Sequence, residues 1–118
     1  MKAYFINAKH EYIVELNVRD YEHKKELIEA NLLELYPYQI NGNDIWTDEE
    51  AQLKEYSYNF VIDDYIVHGN AIITSVDDEG ESTSVKNLTI KELQSRVRFM
   101  GKKYIDHSKL KFEVTEWQ

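Results

Sequence analysis

The stretch "NAIITSVDDEGEST", residues 70–83, decides the fold of this 118-residue chain. Residues 71–76 form a nearly continuous apolar run, which indicates a strand in the interior of a sheet. Four acidic residues then surround one glycine: Asp77, Asp78, Glu79 and Glu81. Because Gly80 can adopt a left-handed conformation, this segment favours a tight turn where the strand ends. We therefore predict an interior strand followed by a turn with an acidic tip.

The spacing of acidic residues around Gly80 is partly similar to that of a calcium-binding loop of the EF-hand type. Such a loop needs oxygen ligands at alternate positions, a glycine at the sixth position and a bidentate glutamate at the twelfth. With Gly80 in the sixth position, the first ligands would be Ser75, Asp77 and Glu79. The twelfth position is then Lys86, a cation, and no helix is predicted before the loop. We therefore expect a turn and no metal site.

No other residue pattern indicates catalysis. The chain has no cysteine, its glycines are dispersed, and its four histidines are scattered at His10, His23, His68 and His107. A pairing of His68 with Asp63 or Asp64 is conceivable, but no serine nucleophile in a recognisable turn accompanies it. We expect no catalytic residue, no metal and no cofactor, and a protein that is not an enzyme.

Alternation of apolar and polar residues predicts further strands around the central run. The predicted strands cover residues 3–6, 12–18, 36–40, 45–46, 58–62 and 110–114. Between two of them, "NGND" at residues 41–44 predicts a tight hairpin, because Asn and Gly both tolerate positive φ.

Two helices are predicted from capping residues and helical spacing. The Asp20 carboxylate can accept the free N–H groups of a first turn, and Pro37 ends that helix. Its exposed face is expected to carry Lys24, Lys25, Glu26 and Glu29. Thr89 and Glu92 form a capping box at the start of the second helix, which Gly101 ends.

These elements predict a single α+β domain over residues 1–118, with two helices packed on one face of a mostly antiparallel sheet. Residues 101–118 are expected to be a C-terminal extension that adds an edge strand. No stretch approaches the roughly 18 apolar residues of a membrane-spanning helix. The N-terminal residues lack the apolar run of a signal peptide, so a cytoplasmic protein is expected.

The net charge of −8 is unevenly distributed. Residues 41–84 carry one lysine against eleven Asp and Glu, whereas residues 85–118 carry eight Lys and Arg against four acidic residues. An acidic surface repels nucleic acid and membranes, and it can steer a basic protein patch towards itself. Solubility is the simpler interpretation of the same excess.

The excess of basic residues in residues 85–118 suggests a second possible binding site, for an anion. Its cations are Arg96, Arg98, Lys102, Lys103, Lys109 and Lys111. They could bind an anion such as a nucleotide phosphate, or balance the acidic part within an oligomer, which we favour. Four tyrosines within or just before the acidic part favour core packing or protein contact, because base stacking needs a positive groove. These aromatic residues are Tyr36, Tyr38, Tyr56 and Tyr58.

Three segments, "NGNDIWTDEEAQLK", "NFVIDDY" and "VHGNAIITSVDDEGESTSVKNLTIKELQSRVRF", together resemble a family of small proteins from phages, prophages and other mobile elements. The resemblance covers most of residues 1–100 and rests on structural turns and the capped second helix. It implies an accessory protein that acts by occupying a host protein. It carries over no catalytic residue.

Charge and resemblance together predict an inhibitor of a host defence or nucleic-acid-processing protein, of the anti-CRISPR or antirestriction type. The expected partner is a host protein with a basic surface, in the cytoplasm of a bacterial host cell, and homodimerisation stays open. The expected contact residues are Asp44, Asp48, Glu49, Glu50, Asp63, Asp64, Asp77, Asp78, Glu79 and Glu81. One alternative is a protein that sequesters a nucleotide signalling ligand at Arg96, Arg98, Lys102 and Lys103. Another is a structural or assembly protein without a ligand.

Overall fold

A computed structural model describes residues 1–51 and 56–104 and shows an α+β fold, as predicted. The elements are β1 (Lys2–Asn7), β2 (Tyr12–Asn17), α1 (Tyr21–Ile28), β3 (Leu33–Leu35), β4 (Asp44–Asp48), β5 (Tyr56–Ile62), β6 (Tyr65–His68), β7 (Ala71–Val76), β8 (Ser82–Thr83), α2 (Ile90–Arg96) and β9 (Val97–Tyr104). No helix among these elements is long and apolar enough to cross a membrane.

The strands form two antiparallel sheets. The main sheet has the order β2-β1-β7-β4-β3, with β8 added to β7. The second sheet has the order β6-β5-β9. The predicted interior strand is confirmed as β7, which pairs with β1 on one side and β4 on the other. Its residues Ala71, Ile72 and Ile73 are fully buried because both faces of the main sheet are covered.

Side chains on the two faces of the main sheet enter two separate hydrophobic clusters. Along β1, Phe5 packs in the cluster that contains Ile28 of α1, whereas Ile6 packs with Phe60 of the second sheet and Leu93 of α2. This alternation follows from the two-residue period of a strand. The two helices therefore lie on opposite faces of the main sheet, and the expectation that both cover one face was wrong.

The first helix is shorter than predicted. Its start is confirmed, because Asp20 Oδ1 accepts a hydrogen bond from the His23 N–H at 2.9 Å. It ends where Glu29 adopts a left-handed conformation, with φ 64°, and donates its N–H to the Glu26 carbonyl. Residues 33–35 then pair with β4 instead of continuing the helix to Pro37. The apolar residues of this segment fit a strand as well as a helix, so local spacing alone misassigned it.

The second helix is also shorter than predicted. Thr89 caps it by accepting a hydrogen bond from the Glu92 N–H, but it ends at Arg96. The following residues form β9, which pairs with β5 along its whole length. Gly101, with φ 73°, lies beside an irregularity in the β5–β9 register rather than at a helix end. A positive φ suits a β-bulge as well as a helix terminus, which explains the error.

The connection between β3 and β4 contains the predicted turn. Asn41 and Gly42 have φ values of 50° and 79°, and the Ile40 and Asn43 backbones exchange two hydrogen bonds. Beyond this isolated bridge, residues 36–40 form no strand, contrary to the prediction. Strand β6 was not predicted. The predicted strand at residues 110–114 lies outside the described residues.

Candidate functional site

The expected acidic contact residues do not share one face. Asp44 lies opposite Thr74, and Thr47 lies opposite Ala71, so β4 and β7 run in opposite directions. Asp48 at the end of β4 is therefore at one end of the main sheet, and the turn at residues 77–81 is at the other. At about 3.3 Å per strand residue, roughly 20 Å separate these two acidic groups. One flat partner patch cannot be centred on both of them.

Several of the acidic residues have structural roles. The Asp44 side chain is buried, with 8% of the residue exposed, and its Oδ1 accepts a hydrogen bond from Gln39 Nε2 at 2.7 Å. Asp77 Oδ1 accepts hydrogen bonds from the N–H groups of Glu79 and Glu81, both at 2.9 Å. These bonds close the turn around its glycine, as expected for an aspartate that caps a turn. Asp78, Glu79 and Glu81 remain exposed at the tip.

Asp63 belongs to an ion pair at one end of the second sheet, between the turn after β5 and the last residue of α2. Arg96 Nε donates to Asp63 Oδ1 at 2.8 Å, and Arg96 Nη2 donates to Asp63 Oδ2. Tyr38 donates its hydroxyl to Asp63 Oδ2, and Arg96 Nη1 donates to Asn41 Oδ1 at 2.9 Å. The hydrogen bonds from Arg96 hold the pKa of Asp63 below its usual value. The hydrogen bond to Asp63 raises the pKa of Tyr38.

This ion pair affects both sets of expected binding residues. It contains Asp63 from the acidic contact set and Arg96 from the alternative anion site, and each neutralises the other. The Arg96 guanidinium also contacts Glu92 at 3.5 Å, so its donors are committed within the chain. Of the other cations of the anion site, Arg98 and Lys102 are exposed. The Lys103 side chain lies outside the described residues.

A different group of acidic residues lies together at one end of β3 and β4. We call it the acidic edge; it consists of Glu34, Asp48, Glu49 and Glu50. Leu33 pairs with Asp48, and the Glu49 N–H donates to the Leu32 carbonyl at 3.0 Å, which fixes the two strands side by side. The pKa of Glu34 is raised, first by burial and then by the negative charges of Glu49 and Asp48. These carboxylates therefore repel each other, and an added cation would be favoured there.

Glu34 is not among the contact residues expected from the sequence. The predicted first helix extends through this position, which gives Glu34 no relation to residues 48–50. The available signal was the alternation in Leu33, Glu34 and Leu35, which puts the carboxylate on the opposite strand face from the two leucines.

A small pocket adjoins the acidic edge. Its cavity volume is about 20 Å³, and its lining includes Glu34, Asp48, Tyr36 and His68. Such a volume holds about one group of the size of water or an ammonium ion. The His68 ring lies 2.9 Å from Asn59 Oδ1, and burial lowers the pKa of the imidazole. Within residues 1–51 and 56–104, no cluster of His, Asp or Glu is arranged to hold a metal ion.

Exposed apolar side chains accompany the acidic edge. Leu32 and Leu35 are about half exposed, at 51% and 50%. Nearby on β6, Tyr65 and Ile66 are 45% and 50% exposed, and the Tyr65 ring stacks on Tyr38 with centroids 4.3 Å apart. Tyr36, which follows β3, donates its hydroxyl to the carbonyl of Ile66 at 2.6 Å and so links the two groups. Large apolar side chains beside charged ones are typical of protein contact surfaces.

A family model described as "Domain of unknown function (DUF3846)" matches residues 1–98. The chain belongs to the DUF3846 family. The match runs from before β1 through α2, so the acidic edge and the Asp63–Arg96 ion pair both lie within the DUF3846 domain. This match confirms that the chain belongs to an uncharacterised family. It gives no link to phages or mobile elements. No curated protein and no solved structure matches the chain.

The DUF3846 domain also encloses a charged side chain beneath α1. Lys24 is only 3% exposed, although the sequence placed it on the exposed face of the helix. Its Nζ donates to Ser82 Oγ at 2.8 Å and lies 4.1 Å from the centre of the Trp46 ring. Burial lowers the pKa of Lys24, and Asp44 partly opposes that shift. Because so little of Lys24 reaches solvent, we assign it to the packing of α1 on the sheet.

This burial gives the stability of the protein a pH dependence. The unfolded chain keeps the ordinary lysine pKa of 10.5, so it binds more protons than the folded chain between the lowered pKa and 10.5. The contribution of Lys24 to stability should therefore rise with pH across this interval, so the stability of the wild type relative to Lys24→Met should increase. Urea denaturation at a series of pH values measures both stabilities. Parallel curves for the two proteins would show that Lys24 titrates normally.

Proposed function

We propose that this DUF3846 protein binds a basic partner protein through its acidic edge. The observation that carries the proposal is the pairing of β3 with the end of β4, which brings Glu34 close to Asp48, Glu49 and Glu50. The pKa of Glu34 is raised first by burial and then by the charges of Glu49 and Asp48, which agrees with this grouping. A cationic side chain from a partner would relieve the repulsion between these carboxylates. The exposed leucines beside Glu34 add apolar surface, which gives a contact more stability than charge alone.

The biological role proposed for this binding is inhibition. Carboxylates offered by a protein can occupy cationic positions that a nuclease uses for phosphates. The strongly acidic segment at residues 41–84 and the resemblance to proteins of mobile elements support such a role. We therefore propose a phage or mobile-element accessory protein that occupies a host defence or nucleic-acid-processing protein in the bacterial cytoplasm. Its role is binding rather than catalysis.

The structure narrows the residues that this proposal needs. Of the ten acidic contact residues expected from the sequence, Asp44 and Asp48 are buried, with 8% and 6% of each residue exposed, and Asp63 is paired with Arg96. The acidic edge therefore reaches solvent through Glu34, Glu49 and Glu50. The turn at residues 77–81 lies at the far end of the sheet. The proposal therefore rests on the acidic edge. The alternative nucleotide site is less favoured, because its central cation already holds Asp63.

Two variants with the same change in charge test the proposal. The edge variant Glu34→Gln/Glu49→Gln removes two charges from the acidic edge, and the control Asp78→Asn/Glu79→Gln removes two from the distant turn. Proteins captured from a bacterial lysate by the wild type are identified, and the binding of each purified candidate is then measured. We expect the edge variant to bind about tenfold more weakly, equivalent to about 1.4 kcal/mol, and the control to bind normally.

Salt dependence provides the second criterion. Binding through exposed charges should weaken as ionic strength rises, because the Debye length shortens to about 3 Å at 1 M salt. An activity assay then measures whether the wild type inhibits the nuclease or defence activity of the bound protein.

Equal binding by the edge and control variants would refute the proposal. A complex that high salt leaves unchanged would also refute it.

A further inference from the structure

The backbone of β3 is open on one side. Within the described part of the chain, β3 is the last strand of the main sheet and pairs only with β4. The Glu49 N–H donates to the Leu32 carbonyl, and the Tyr36 N–H donates to the Ile45 carbonyl. In an antiparallel pair, hydrogen-bonded residues alternate with residues whose backbone groups face away. The backbone groups of Leu33 and Leu35 therefore face outward.

One of these outward groups is already used inside the domain. The Leu33 N–H donates to the hydroxyl of Tyr21 at 3.2 Å, which confirms its direction. The N–H and carbonyl of Leu35 face outward in the same way. An extended segment laid along β3 would find a donor and an acceptor at this position, as in recognition by strand addition.

The side chains of β3 specify what such a segment should look like. Leu33 belongs to the cluster beneath α1, and Leu35 projects from the same face while staying half exposed. Glu34 projects from the other face, opposite Thr47, and the negative charges of Glu49 and Asp48 act on it. Directly opposite residues on neighbouring strands share a face. A residue opposite Glu34 would thus meet negative charge, and a residue opposite Leu35 would meet apolar surface.

We propose that β3 binds its partner by strand addition, and that the added strand alternates basic with apolar residues. This inference rests on the proposed function and adds the kind of segment that is recognised. Charge complementarity with the acidic edge selects Lys or Arg for one face of the added strand. The half-exposed Leu35 favours apolar side chains on the other face.

A competing interpretation is that Glu34 only protects the edge. Proteins place charges on short edge strands to prevent pairing with other chains. Such protection does not explain why Leu32 and Leu35 stay half exposed along the same edge. The two interpretations differ in what an added strand does, because protection predicts no binding of a strand-forming peptide.

The test uses two labelled hexapeptides of identical composition with the full-length protein. One alternates lysine and valine, and the other has three lysines followed by three valines. Fluorescence anisotropy measures both affinities. We expect the alternating peptide to bind about tenfold more tightly, because only it can match both faces of β3. Amide exchange at Leu35 should slow when the alternating peptide binds.

Leu35→Pro isolates the backbone contribution. Proline removes the outward N–H while leaving the hydrogen bonds to β4 intact, since proline is tolerated at edge positions whose N–H faces solvent. The preference for the alternating peptide should disappear in this variant, with the circular dichroism spectrum unchanged. If the variant fails to fold, the exchange rate of the Leu35 amide in the wild type decides the question.

Three outcomes would overturn the inference. Equal, salt-sensitive binding of both peptides would retain the proposed function but exclude strand addition. Absence of binding by either peptide would count against both proposals. The sequence "KLKF" at residues 109–112 has the same alternation, so Lys111→Glu is compared with the matched charge change Lys91→Glu. Tighter peptide binding by Lys111→Glu alone would assign β3 to the chain's own tail rather than to a partner.

Discussion

Arg96→Ala is expected to lower the free energy of unfolding by about 2–3 kcal/mol. Arg96 holds Asp63 through two hydrogen bonds and contacts Asn41 as well, so its loss leaves a partly buried carboxylate without its counter-charge. Removing one partner of a buried ion pair costs about 3–5 kcal/mol. We reduce this value because about a quarter of each side chain is exposed, at 25% and 22%. Urea denaturation at neutral pH measures the change.

The control for this variant is Arg19→Ala. Arg19 also faces a carboxylate, that of Glu26, but both side chains are 70% exposed and 4.0 Å apart. Exposed pairs of this kind contribute about 0–1 kcal/mol. A loss in Arg96→Ala no larger than that in Arg19→Ala would show that the ion pair does not stabilise the fold.

The same ion pair should make the protein sensitive to acid. The pKa of Asp63 is lower in the folded chain than its ordinary value of 3.8. Its stabilising contribution is therefore complete above pH 3.8 and is lost as the pH falls through the folded pKa. The difference in stability between the wild type and Asp63→Asn should shrink over that interval.

Asn43→Ala is expected to destabilise the protein by about 3 kcal/mol. Asn43 is fully buried, and its side chain joins the β3–β4 turn to the segment before α2. Its Nδ2 donates to the carbonyls of Ile40 and Lys86, at 2.9 Å and 2.7 Å, and its Oδ1 accepts from the Lys86 N–H at 3.0 Å. Each buried polar group that loses its partner costs about 1–3 kcal/mol.

Denaturant titration of Asn43→Ala beside Asn31→Ala measures this contribution. Asn31 is exposed, so its replacement should change stability by less than about 0.5 kcal/mol. An Asn43→Ala variant as stable as Asn31→Ala would mean that water replaces the lost side chain. The predicted loss of about 3 kcal/mol would then be wrong, although the hydrogen bonds of Asn43 in the wild type would not be contradicted.

Local features of the sequence predicted the parts of the fold that depend on neighbouring residues. Asp20 and Thr89 cap the helices as expected, because a cap needs only the three residues that follow it. The helix ends were wrong, because the segments beyond Ile28 and Arg96 pair with distant strands. The apolar residues of these segments have helical spacing, but hydrogen bonding to β4 and β5 makes them strands.

The candidate site was harder to predict for the same reason. Three of its four residues could be predicted from the sequence, since residues 48–50 were expected to contact a partner. Its geometry depends on the register of β4 with β3 and β7, which no local pattern encodes. The register brings Glu34 into the acidic edge and moves the turn at residues 77–81 away from it. The role of Arg96 also depended on a contact with a residue 33 positions away.

The position of β7 has a consequence for folding during synthesis on the ribosome. Strands β1 and β2 form one hairpin and β3 and β4 another, and β7 lies between the two pairs. A lone two-stranded hairpin is at best marginally stable in water. The two hairpins can therefore join into a stable sheet only after Val76 has left the exit tunnel. The two hairpins therefore cannot fold stably one after the other as they emerge, and both must wait for β7.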